Sequence, residues 1–166
     1  MDAHTLKAIL DEHMPHADDG TATHLLETCH ATGLAISDAL ALIEGESRGQ
    51  NVFGHDDTAS IPESWKGSRV TWAKYRYYKL RRKSKGAQGV GPCQLTWPGY
   101  QDQADAAGGC HKPGPNMLIG FRILHTNIAA HGREHGAAAY NGTGPAASTY
   151  GRLFVDRQRA WHERIT

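Results

Sequence analysis

The chain has 166 residues, 39% of them apolar, and its 18 Lys and Arg against 17 Asp and Glu give a formal net charge of +1. That length suits one domain with a sizeable core, and the balanced charge excludes a chain that binds nucleic acid over its whole surface, although one segment can still meet an anionic partner. Three cysteines, Cys29, Cys93 and Cys110, make neither a zinc spacing nor an even disulfide set and leave room for one Cys93–Cys110 bridge, and no stretch has the length of a transmembrane helix or the form of a signal peptide.

Leu6, Ile9 and Leu10 predict a short amphipathic helix that Pro15 and the polar turn from Ala17 to Gly20 bring to an end. Thr21 or Thr23 starts a second, with Leu25, Leu26 and Cys29 on one face and Gly33 as its C-cap. A third begins at Ile36, with Ser37 as N-cap, Asp38 in the first turn, Ala39, Leu40, Leu42 and Ile43 as apolar positions, and Gly45 and Gly49 weakening or stopping it. At about 100° per residue, Glu46 falls on the edge of the apolar stripe and Glu44 turns toward water. A half-desolvated Glu46 would keep its proton near neutral pH and serve as a general acid; the alternative is that both glutamates lie on a solvated helix end.

Gln50 to Thr58, anchored only by Val52 and Phe53, reads as a loop or small hairpin and carries Asp56 and Asp57 beside a rigid helix, where catalytic groups often sit. From Ser60 to Gln88, Trp65, Trp72, Tyr75, Tyr77 and Tyr78 are interleaved with lysines and arginines. The pattern from Val70 to Leu80 predicts a helix with Tyr77, Leu80 and Trp72 or Ala73 inward. Its basic face is either an ordinary solvated surface or one that meets sugars or polyanions. Gly86 to Trp97 is too rich in glycine to begin as a helix or strand, and Gly89 and Gly91 permit a close backbone approach or a positive φ ahead of Gln94. Pro113 and Pro115 bracket another loop. Met117, Leu118, Phe121, Ile123, Leu124, Ile128 and Ala129 then give the strongest helical periodicity in the chain. A small-residue helical run leads into Tyr140 and Asn141, a glycine turn follows, and the chain restarts near Pro145 and closes on an amphipathic helix with Leu153, Phe154, Val155, Arg157 and Trp161. His13 and His16 read as surface residues. His131 and His135 have an i, i+4 spacing but are flanked by glycines with no third ligand, so neither a metal nor another cofactor is expected.

Glu46-Ser47, then Gly89-Val-Gly-Pro-Cys-Gln94, then Ala139-Tyr-Asn-Gly142, resemble in order the three signature blocks of goose-type lysozymes and soluble lytic transglycosylases. More narrowly, the stretches around them look like the lysozyme-like catalytic domains of endolysins from phages of actinobacteria. The resemblance implies a mainly α (α+β lysozyme-like) fold: a helical domain with a substrate cleft and a small loop or hairpin region. The resemblance covers roughly Ala35 to the C-terminus apart from the basic segment, and residues 1–166 are expected to form a single catalytic domain with a basic aromatic insert at about 58–88. It implies a peptidoglycan glycosidase, a muramidase cleaving between N-acetylmuramic acid and N-acetylglucosamine. By position, Glu46 matches the general acid, Asp56 an aspartate that holds a water, Gln94 and Asn141 residues that bind acetamido sugars, and Tyr140 a tyrosine whose hydroxyl lies close to the acid. Ser47 and Thr96 join the expected substrate-binding set, and Asp57 is the fallback base. The chain departs from the goose-type pattern at Thr96, where a second aspartate stands, at Pro92-Cys93 in place of Leu-Met, and in the basic insert.

An inverting hydrolase needs a second carboxylate about 6.5 to 9.5 Å from the acid, whereas a lytic transglycosylase needs no base for water. With Asp56 able to fold across a cleft, inverting hydrolysis is the expected chemistry. Lytic transglycosylation to 1,6-anhydro products and a non-catalytic wall-binding phage-tail module are the alternatives. The expected partner is the glycan strand, met by a monomer without nucleic acid or membrane insertion, first in the host bacterial cytoplasm and after lysis at the cell wall. The insert is expected to touch the anionic wall through Arg81, Arg82 and Lys83.

Overall fold

Capping chemistry sets several of the helix boundaries in the computed structural model, which describes residues 1–166. Asp2 accepts the Thr5 N–H at 2.8 Å to open α1 (Ala3–His13). α2 (Thr21–Thr32) stops where Gly33 turns left-handed at φ +75°, as its sequence predicts. α4 (Trp72–Lys85) is capped by the Thr71 hydroxyl, and α5 (Pro98–Ala106), α6 (Pro113–His131) and α8 (Gly144–Ile165) each carry proline in the first turn, where no N–H is needed. Pro113 and Pro115 therefore begin α6 instead of bracketing a loop. α7 (Arg133–Asn141) follows α6 after a break at Gly132.

α3 (Ile36–Ser47) is the buried centre: Ala39, Leu40, Ala41, Leu42 and Ile43 are all 0% exposed. A helix apolar on every side has to be surrounded, and α2 and α8 pack against it while α6 packs on α2 and α7, and α7 on α8. Its start differs from the sequence expectation. Ala35 occupies the N-cap without a side-chain bond. Ser37 and Asp38 are buried, Ser37 accepting Gln158 Nε2 at 2.9 Å and Asp38 accepting Arg133 Nε at 2.6 Å. Tertiary partners on α7 and α8 have claimed the two side chains that local chemistry assigns to capping. The helix runs through Gly45 and ends at Arg48, which takes a left-handed φ of +55°.

The inward face of α4 also differs. Tyr75, Tyr78 and Arg82 are buried, while Trp72, Tyr77 and Leu80 are 57%, 40% and 80% exposed. Polar neighbours explain the choice: Tyr75 donates to Asp105, Tyr78 to Gln101, and Arg82 reaches Gln101 and Asp102. Hydropathy favours Leu80, but α5 supplies acceptors that make the hydroxyls and the guanidinium cheap to bury.

Between the helices, single antiparallel bridges join Val52 to Arg69, Phe53 to Val90 and Val90 to Leu95. No strand grows longer than a bridge, so the stretch expected to be a loop or hairpin is a loop pinned at Val52 and Phe53. Cys29, Cys93 and Cys110 are buried free thiols, with no bridge between Cys93 and Cys110. Burial pushes the Cys29 and Cys110 thiols up to about 12. No helix is long and apolar enough to cross a membrane.

Candidate active site at the end of α3

The last turn of α3 presents Glu46 half-buried to a hollow of about 700 Å³, whose lining brings together Asp56, Gln94, Thr96, Tyr140 and Asn141. Burial raises the Glu46 carboxyl above its ordinary value; a hydrogen bond from Tyr150 and the charge of Arg157 oppose that rise, and the nearby Asp56 charge adds to it. Tyr150 donates to Glu46 Oε1 at 2.5 Å. Its own hydroxyl is pushed far upward by burial and by the Glu46 charge, so it stays a donor.

Arg157 stands behind this pair. Its guanidinium lies 5.5 Å from the Tyr150 ring centre, and Nε donates to the Ala41 carbonyl at 3.2 Å. Gly45 makes the seat possible, since a Cβ there would come within 2.6 Å of Arg157 Nη2. A mid-helix glycine costs about 1 kcal/mol against alanine, and here it lets a cation lie flat against the helix beside the acid.

Across the hollow, the loop from Gly86 to Trp97 delivers Gln94 at a left-handed φ of +47°. Gln94 Nε2 donates to Val52 O at 3.0 Å and Gly91 O at 2.9 Å, leaving Oε1 without a partner in the chain. A Cβ on Gly89 would stand 2.5 Å from that oxygen, so any larger residue there would push the Gln94 amide out of its place. The Gly89 N–H donates to Asp56 Oδ2 at 2.7 Å, which fixes Asp56 to the same loop. Asn141 and Thr96 are exposed on the rim, with Thr96 Oγ1 donating to the Gln94 carbonyl at 3.2 Å.

Two expected site residues have other partners. The Tyr140 hydroxyl donates to the Cys93 carbonyl at 2.7 Å, and the tyrosine bonded to the acid is Tyr150. Ser47 is buried and donates to the Pro92 carbonyl at 2.8 Å, tying the end of α3 to the Gly91-Pro92 turn. Asp57 is exposed and lies outside the lining of the hollow. Glu44 is not turned freely to water, since its Oε2 accepts Trp161 Nε1 at 2.7 Å. Tyr150 and Arg157 went unassigned from sequence, yet the spacing of Ala147, Tyr150, Phe154, Arg157 and Trp161 marks one face of α8 and could have pointed to them. No three His, Cys, Asp or Glu side chains converge to hold a metal ion.

No protein-family model, curated protein or solved structure matches this chain.

Proposed function

We propose that this chain is a glycosidase of peptidoglycan, a muramidase that hydrolyses the bond between N-acetylmuramic acid and N-acetylglucosamine with inversion. The observation that carries the reading is Glu46: a carboxyl whose pKa burial raises, held by a tyrosine, and opening on the same hollow as a second carboxylate. In this reading the hollow is the substrate cleft. Neutral Glu46 gives its proton to the glycosidic oxygen as the C1–O bond breaks. Water adds to C1 from the opposite face, and its proton passes to Asp56. Tyr150, already donating to Oε1, stabilises the carboxylate left behind. Gln94 Oε1 and Asn141 offer an acceptor and an amide to the acetamido sugars, and Thr96 and Tyr140 border them.

One observation favours a second reading, a lytic transglycosylase. Asp56 has Oδ2 committed to the Gly89 N–H, as a residue that only pins a loop would. Mass spectrometry of digested peptidoglycan separates the two, because hydrolysis leaves reducing ends and transglycosylation leaves 1,6-anhydro ends. Anhydro ends together with an undiminished Asp56→Asn protein would remove Asp56 from the chemistry. A folded chain that releases neither product would refute the glycosidase reading.

A further inference from the structure

The hollow beside Glu46 is one of three that follow one another round the last turn of α3. A second, of about 430 Å³, shares Glu46, His55 and Gln94 with the first, and a third, of about 510 Å³, shares Glu44, Gly45 and Arg48 with the second. The two ends differ in chemistry. The first ends on Trp97, which is 59% exposed with Tyr100 edge-on at 4.7 Å, an apolar face that suits a sugar ring. The third is lined by Arg48, Arg157, His13 and His16.

That far end carries unmatched positive charge. Glu44 is the one acid in its lining and already accepts from Trp161, and Glu12 stands 3.8 Å from His13 at the edge. Arg48 is exposed, and its guanidinium bonds nothing in the chain. The Arg157 guanidinium, packed on the Tyr150 ring, makes its one hydrogen bond through Nε, and its Nη2 is buried without an acceptor. Neither guanidinium bonds a carbonyl in the last turn of α3, where the Arg48 and Gly49 N–H groups take the Glu44 and Ile43 carbonyls.

We propose that the three hollows form one groove that binds a polymer across the end of α3, and that Arg48 and Arg157, with His13 and His16, hold a carboxylate borne by that polymer. The inference rests on the glycosidase reading for its substrate: on a peptidoglycan strand the carboxylates are those of the peptide stems. A guanidinium matches a carboxylate fork geometrically, whereas a strand whose lactyl carboxyls are capped as simple amides offers it only neutral hydroxyl and amide groups. The groove thus selects peptide-bearing strands at one end and sugar faces at the other.

The test uses the full chain carrying Glu46→Gln, so that binding is read without turnover. Calorimetry compares soluble glycan oligomers of one length that carry peptide stems with stem-free oligomers whose lactyl carboxyls are capped as simple amides. The stem-bearing oligomer is expected to bind about tenfold more tightly, the worth of one charge-assisted hydrogen bond, with the advantage shrinking as salt rises. Adding Arg48→Gln and His16→Gln should shrink the difference, with Arg157 and His13 still in place, and leave the stem-free affinity unchanged. Equal binding of the two oligomers, an advantage undiminished by those substitutions, or no binding of either would overturn the proposal. Product analysis on the parent protein decides the glycosidase reading independently.

Discussion

A carboxyl whose pKa burial raises has two measurable consequences at position 46. The first is catalytic: Glu46→Gln keeps the shape but removes the transferable proton, and wall-lytic activity should fall by about 100- to 10,000-fold. The second is thermodynamic. The folded-state pKa of Glu46 lies above the ordinary carboxyl value, so its contribution to stability is complete below that ordinary value and is lost as pH rises through the folded one. Glu46→Gln has no proton to lose, and its melting temperature should gain on the parent's as pH climbs through that window. Parallel melting profiles would mean that Glu46 is not desolvated. Tyr150→Phe removes a hydrogen bond that lowers the Glu46 pKa, so the alkaline limb of kcat/KM should move to higher pH. Tyr140→Phe should leave that limb in place, because its hydroxyl serves the Cys93 carbonyl. Glu44→Gln keeps an acceptor for Trp161 and should be nearly silent in activity, whereas Glu44→Ala orphans the indole N–H and should cost about 1–3 kcal/mol in urea unfolding.

Among the elements, α4 shows how a basic segment divides between structure and surface. Arg82 is 8% exposed, donating to Gln101 Oε1 at 2.8 Å and Asp102 Oδ1 at 2.6 Å, and Arg81 lies 4.8 Å over the Tyr77 ring. Lys79 pairs with Asp105, and Lys74 donates to the Ser68 hydroxyl. The cations expected to meet the wall, Arg81, Arg82 and Lys83, are thus not equivalent. Arg76 and Lys83 are exposed, near Trp72 and Leu80 in sequence at helical spacing. Arg82→Ala should cost about 1.5–3 kcal/mol by chemical denaturation, the worth of a charge-assisted bond, with Asp102 partly relieved by solvent. Arg76→Gln with Lys83→Gln should leave stability within about 0.5 kcal/mol. The pair should weaken adsorption to isolated walls and flatten its salt dependence, since exposed attraction is screened over about 8 to 10 Å. Unchanged adsorption at low and moderate salt would make the α4 face an ordinary solvated surface.

At the scale of the whole molecule, the site depends on one buried amide that joins the loops to the helices. Asn116, fully buried in the first turns of α6, accepts the Cys93 N–H at 3.0 Å and donates to Val90 O at 2.8 Å. Gly91, at φ +80°, leaves room for it, since a Cβ there would lie 2.4 Å from Asn116 Nδ2. The same turn receives Ser47 from α3 and Tyr140 from α7, so three helices hold the segment that delivers Gln94. Asn116→Ala leaves the buried Cys93 N–H unpaired, at about 1–3 kcal/mol, while the Val90 carbonyl keeps the Leu95 N–H. Urea unfolding should show that loss, and the folded remainder should bind glycan more weakly as Gln94 loses its fixed position. A variant of unchanged stability would show that Asn116 does not hold the loop.

The order of the helices apart from α5, which no apolar spacing announced, the left-handed stop at Gly33, the core periodicity of α6 and the helix that carries Glu46 in its last turn were legible in the sequence. Each depends on neighbours within a few positions, where apolar spacing and capping act. Local pattern failed where a distant partner outbid it. Ser37 and Asp38 left the cap for Gln158 and Arg133, and Tyr75, Tyr78 and Arg82 displaced Leu80 from the inner face of α4 because α5 offered acceptors. Glu46 could be named from sequence; that Tyr150 and not Tyr140 holds it, with Arg157 seated over Gly45 behind, required the packing of α8 on α3. Bonds between residues about a hundred positions apart leave no periodic trace, because their geometry exists only once the two helices lie together.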